Sequence, residues 1–376
     1  MWRRLFVLIL VALVFSLPCF AEDISFDEEF SSIADSLPSE IEGLLPDGFF
    51  DGVDSAASGL EETLELPFWK ELLGDLLYDR VGQALPTVTS LLGLVLVSAL
   101  LSAFKDVMRS EALSGAVSLA VSVVMTSIFV NFASHHVELV TSYVQRLSEL
   151  TRAMLPLMGA LLAMGGSGAS AVATHGGVLM VLGVVEAVVG EAFGGIVGIS
   201  LAMSAANIFS GRFRLSAIAR GVRRCFGIFF GSLTALLGFL LSLKIGIASA
   251  GDSLAMRGAK MFASNAIPIV GSAVGESFRV LATSLTYIKS VSGVAGMVIV
   301  LLMALPIFFE VWLYRAGLVL IGGAAEMLGC DRERELVSGV VAVYGYMLAA
   351  IALLSVLFIL MLTLFTKTAL AFGGGI

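Results

Sequence analysis

Residues 260–296 read KMFASNAIPIVGSAVGESFRVLATSLTYIKSVSGVAG, and the rest of the chain is organised around them. The stretch is apolar enough to enter a membrane, yet Asn265 and Pro268 interrupt its start. Small residues (Gly271, Ser272, Ala273, Gly275, Ser277) line it, and Glu276 and Arg279 stand one helical turn apart. Irregular, polar backbone at membrane depth is tolerated where protein or a water-filled cavity surrounds it. Two readings follow: a tight helix-packing segment with a satisfied ion pair, or a lining segment of a pathway.

Composition sets the class. Of 376 residues, 58% are hydrophobic and 14% charged, against about half and about a quarter in a soluble domain. Several runs exceed the roughly 18 apolar residues of a bilayer span. The expected fold is an all-α polytopic membrane protein with six to eight transmembrane helices plus broken or re-entrant segments. The net charge of −8 hides an asymmetry: residues 22–84 hold 17 acids against Lys70 and Arg80. No concentrated basic face of the kind nucleic acid requires is present. Cys19, Cys225 and Cys330 have no zinc-site or disulfide-framework spacing.

Residues 1–21 have a basic start, an apolar core and small residues before Ala21, the pattern of a secretory signal peptide or an uncleaved first span. Residues 22–84 form an acidic extracytoplasmic segment. Its first part, 22–59, is expected to be loosely ordered alone, and 60–83 carries apolar residues at helical spacing. Residues 85–376 are the multi-pass membrane domain: spans at 85–104 and 112–133, an interfacial amphipathic helix at 135–152, a Pro156 segment, and a long run at 176–209. Spans at 225–250, 294–314 and 338–365 follow.

Arg212, Arg214, Arg220, Arg223 and Arg224 crowd one short loop and mark the cytoplasmic side. The outward N-terminal segment must then reach that loop through an odd number of crossings. Either the Pro156 segment is re-entrant and 176–209 crosses once, or three short spans fill 153–209; the Pro and Gly content favours the re-entrant form.

Spans start near Ala112, Cys225 and Ser338, in steps of 113. Pro156-x-x-Gly159 and Pro268-x-x-Gly271 recur at an offset of 112. A parallel repeat (112–224, 225–337 and a partial 338–366) is therefore expected, and paired interrupted segments are the usual pointer to a pathway. Glycines spaced by four (190/194/198, 227/231, 271/275) suit close helix packing and leave a homo-oligomer open.

Catalytic chemistry has little support. His135, His136 and His175 form no triad or H-x-x-x-H pattern, and His135-His136 reads as an interfacial pair. No nucleotide-binding G-x-x-x-x-G-K-[ST] occurs, and no cofactor or metal is expected. The charges inside apolar runs, Glu186, Glu191, Lys244, Glu276, Arg279 and Glu310, are costly unless paired or wet. They are candidates for a pathway or for structural pairs.

The KMFASNAIPIVGSAVGES stretch at 260–277, the I-K-x-x-x-G at Ile288–Gly293 and the order of parts resemble the stage III sporulation protein AE family of spore-forming Firmicutes. The resemblance implies a non-enzymatic subunit of a channel complex in the mother-cell membrane around the forespore, needed after engulfment. Implied partners are the other stage III operon A proteins: an ATPase, ring-forming proteins and small membrane subunits, besides membrane lipid. It supplies no catalytic residues. A self-contained secondary transporter and a purely structural scaffold are the competing readings.

Overall fold

The computed structural model describes residues 26–104, 111–209, 215–266, 271–368 and 370; these contain helices and no strand. Three short helices come first: α1 (Phe26–Asp35), α2 (Ser39–Glu42) and α3 (Val53–Thr63). Long helices follow: α4 (Leu66–Phe104), α5 (Glu111–Met164), α6 (Gly168–Glu186) running through a π-helical turn (Ala187–Phe193) into α7 (Gly194–Phe209), then α8 (Leu215–Ala266), α9 (Gly271–Met327) and α10 (Asp331–Lys367). Six helices among the described residues are long and apolar enough to cross a membrane, and the chain is an all-α polytopic membrane protein.

The helices are longer than the sequence pattern suggests. The amphipathic segments are not separate interfacial helices but continuations of the spans. Residues 60–83 run largely into α4, and 135–152 lie in the middle of the 54-residue α5. At ~1.5 Å per residue α5 is about 80 Å long, well beyond a ~30 Å hydrocarbon core. Pro156 is interior to α5, so the expected re-entrant break there is not found. A proline removes a single amide donor, which a membrane helix tolerates. The chain turns instead at 165–167, where Gly166 takes φ 78°. Ser167 N–H donates to the Leu162 carbonyl at 2.9 Å, a Schellman closure. The α9–α10 turn repeats the device: Gly329 has φ 70° and Cys330 N–H donates to Ala325. Pro268 falls outside the described residues, between the end of α8 and the start of α9.

Specific contacts fix the register of the bundle. α9 and α10 form the central antiparallel hairpin. Lys289 of α9, 2% exposed, donates to the carbonyl of Thr368 at the end of α10, where orphan carbonyls favour a cation. Gly293 lies against Thr366, and a Cβ on Gly296 would come within 2.7 Å of Met154 of α5. The I-K-x-x-x-G motif thus ties the far end of the hairpin shut. On the flank, the carboxylate of Asp252 in α8 accepts from Ala169 and Ser170 N–H at 3.0 and 2.7 Å, capping α6 from a neighbouring helix. Of the glycines spaced by four, Gly194 and Gly227 meet Val137 and Tyr346 of neighbouring helices while Gly198 and Gly231 face open space, as does Gly159; Gly177, Gly238, Gly296 and Gly317 also meet neighbouring side chains.

The acidic N-terminal segment is not loose in the described chain. Phe30, Ile33, Leu37, Ile41, Leu45, Phe49, Ala56 and Leu60 are all buried. α1 packs on α5, and α3 packs on α9, where Tyr287 O–H donates to Asp54 at 3.2 Å. Too small to bury a core alone, the segment borrows the bundle's surface. It sits at the same end as Lys289, Thr368 and the 165–167 turn. The 328–330 turn lies at the other end, and Gly227 of α8 meets Tyr346 of α10. The α4, α5 and α6–α7 rods run between the two ends before α8 begins.

Filling Gly296 with leucine is expected to force Met154 and Leu362 aside, costing about 1–3 kcal/mol. Gly159→Ala and Gly198→Ala should be close to neutral. Thermal unfolding of the detergent-solubilised protein checks the contrast.

Candidate functional site: a polar junction of four helices

Midway along the hairpin, α4, α5, α9 and α10 each bring one polar group to a common point. Arg80 of α4 donates to Glu310 Oε2 of α9 at 2.7 Å. Glu310 Oε1 lies 3.7 Å from Nε2 of His136 on α5. The His136 ring, 1% exposed, stands 4.5 Å from the Tyr314 ring, and the Tyr344 hydroxyl of α10 is 3.0 Å from His136 Nδ1.

The helical repeat explains the gathering. Glu310 and Tyr314 are one turn apart on α9, and Phe132 and His136 are one turn apart on α5. The Phe132 ring packs on Tyr314 at 6.2 Å. The carbonyl of Phe132 is 2.7 Å from His136 Nδ1. With Nδ1–H donating there, Nε2 is the nitrogen left facing Glu310 without a hydrogen-bond partner. A proton on Nε2 would turn the contact with Glu310 into an ion pair. The junction thus sets a carboxylate between a guanidinium and the unpartnered nitrogen of an enclosed imidazole.

Further polar contacts between the long helices lie outside the junction. Ser98 of α4 donates to Glu333 of α10 at 2.7 Å, both buried. Tyr143 of α5 meets Ser355 of α10 at 2.7 Å. Glu186 of α6 accepts two bonds from Arg152 of α5, at 2.6 and 2.8 Å. No group of three or more metal-ligating side chains occurs among the described residues.

Of the candidate pathway residues among those described, Glu310 enters the junction, and Glu186 has its own partner in Arg152. Pro156 is exposed on α5, and Gly159 is half-buried beside it. Glu191 lies in the π-helical turn, and Gly271, Gly275, Glu276 and Arg279 lie in the first turns of α9; the side chains of these residues are outside the described set. So are those of Arg220 and Arg223 on α8, while Arg212 and Arg214 fall outside the described residues altogether, and Arg224 is exposed. His136 is not half of an interfacial pair: His135 is exposed and His136 is enclosed. Its place on the Val140, Tyr143, Val144 and Leu147 stripe was the available signal. Arg80 and Tyr344 carried none, since each is a lone residue whose partner is over 200 positions away.

Removing one member of such a pair strands the other. Arg80→Met should lower stability by about 2–3 kcal/mol, and Arg80→Met/Glu310→Gln should recover part of that loss. Unfolding the two single variants and the double in one detergent reads the coupling.

The family model described as stage III sporulation protein AE matches residues 53–369. The chain is similar to stage III sporulation protein AE of Bacillus subtilis (strain 168), 22% identical over 339 residues, which is 86% of this chain and 81% of that one. No solved structure matches. With the match spanning α3 to the end of α10, the chain belongs to the stage III sporulation protein AE family.

Proposed function

We propose that this chain is a membrane subunit of a channel or secretion-like complex that links mother cell and forespore and sustains the forespore after engulfment. Family membership makes it a sporulation protein. The observation that carries the finer reading is the Arg80–Glu310–His136 junction. Charged groups are brought to one point between the long helices, where a mere scaffold has no need of an imidazole facing a carboxylate. In this reading the chain performs no chemical step of its own. It works in the mother-cell membrane with an ATPase, ring-forming proteins and small membrane subunits of the same operon, and its acidic N-terminal helices are held at one end of the bundle for protein contacts.

A self-contained secondary transporter would also use such a junction, and reconstitution of the chain alone separates the two. The complex reading predicts no solute flux from the isolated chain. In the sporulating host, deletion should let engulfment finish and stop development afterwards. A Glu310→Gln copy that reaches wild-type membrane levels should restore fewer than one spore in ten of the wild-type yield. Normal spore yield from the deletion strain would contradict the proposal.

A further inference from the structure

α10 serves as a height marker for the helices on either side of it. Tyr143 of α5 hydrogen-bonds Ser355 of α10, and Gly238 of α8 lies against Leu357 and Leu360 of the same helix. Two to five residues of helical rise separate these contacts, roughly 3–8 Å. Tyr143 and Gly238 are therefore nearly level.

At that level the two helices turn opposite chemistry outward. α8 exposes Leu236, Phe239, Leu240 and Leu243, within a stretch from Cys225 to Leu243 that contains no charge. It is part of the candidate span Gly227–Ala255, and it has the surface of a lipid-facing helix. Between Glu138 and Arg152, α5 exposes Glu138, Ser142, Gln145, Arg146, Glu149 and Arg152 and no apolar side chain. Arg152 and Glu186 pair at one side of a groove that Thr141, Gln145 and Glu149 also line. Earlier in α5 the outward side chains include Leu119, Val123, Val124 and Val130, and Asn131, Ser134 and His135 lead from them into the polar stretch.

Charges of both signs cannot face hydrocarbon at the depth where α8 meets it. They need water, and that water needs a protein wall to keep lipid away. Among the described residues none covers this face, and on its inner side α5 packs through Leu147 and Leu150 into the core it shares with α9 and α10. We propose that the Glu138–Arg152 face of α5 lines a water-filled passage enclosed between copies of this chain, with the α8 face turned to lipid. Further copies carry the same polar face, so an assembly closed about α5 shields every one of them together. The inference rests on the channel-subunit reading and locates the lining that such a subunit would contribute. The pairing of Arg152 with Glu186 holds the α6 edge of that lining in place.

The test uses the full-length protein in liposomes, with Cys19, Cys225 and Cys330 replaced by alanine. A spin label is placed at Gln145→Cys or Phe239→Cys, and its exposure is read by power saturation with a water-soluble nickel chelate and with oxygen. Nickel should relax the label at 145 at least threefold more than the label at 239, and oxygen should show the reverse order. Glu149→Cys should join copies into multimers with a short bis-maleimide. Nickel access at 239 equal to that at 145 would put this slice outside the bilayer and overturn the proposal. Oxygen access without nickel access at 145 would overturn it as well. A Glu149→Cys chain that stays monomeric under the cross-linker would remove the enclosing copies. These readouts need no sporulating cell, so their failure is distinct from a failure of the deletion experiment.

Discussion

The antiparallel packing of α9 on α10 is the constraint from which the other contacts follow. Gly329 closes one end of that hairpin and the Lys289–Thr368 contact closes the other. Between them Ala295, Val298, Leu302, Met347, Leu354 and Met361 are buried. These two helices are the most apolar candidate spans and also the most enclosed, with 50% and 56% of their apolar stretches buried. Their hydropathy is therefore shared between lipid and protein core. The surrounding helices carry the information about what the outer surface meets.

A fixed hairpin register is what brings Glu310 and Tyr344 to one height, so that α4 and α5 can add Arg80 and His136. A slip of one residue on α9 would rotate Glu310 by about 100° away from both partners. The motif at Ile288–Gly293 and the polar junction are thus mechanically linked, although they lie some thirty ångströms apart along α9 at ~1.5 Å per residue. The first holds the hairpin, and the second depends on where the hairpin is held.

Much of the architecture was legible in the sequence because a bilayer leaves few solutions. The long apolar runs require helices, and Glu310 stands out as a charge in an apolar run. What escaped was continuity. Nothing in the pattern at 133–135 or at Pro156 separates a span followed by an interfacial helix from one uninterrupted rod. The deciding feature was a left-handed glycine at 166, ten residues beyond the proline. The packing of the N-terminal helices escaped for a related reason. Phe30, Ile33 and Phe49 are too few for a core of their own, and their burial becomes visible only with α5 and α9 beneath them. Arg80 and Tyr344 could not be read at all, since long-range pairing leaves no local trace.

The most direct measurement concerns the register of α9 on α10. Met297 and Thr363 touch across the hairpin, with Thr363 Oγ1 3.9 Å from Met297 Sδ. In chains lacking the native cysteines and carrying a protease site in the 328–330 turn, Met297→Cys/Thr363→Cys should form a disulfide in native membranes. It should hold the cleaved halves together until reductant is added. Met297→Cys/Ser355→Cys, two turns out of register, should release them. Release by the first pair and retention by the second would contradict the hairpin on which the polar junction and the α5 face depend.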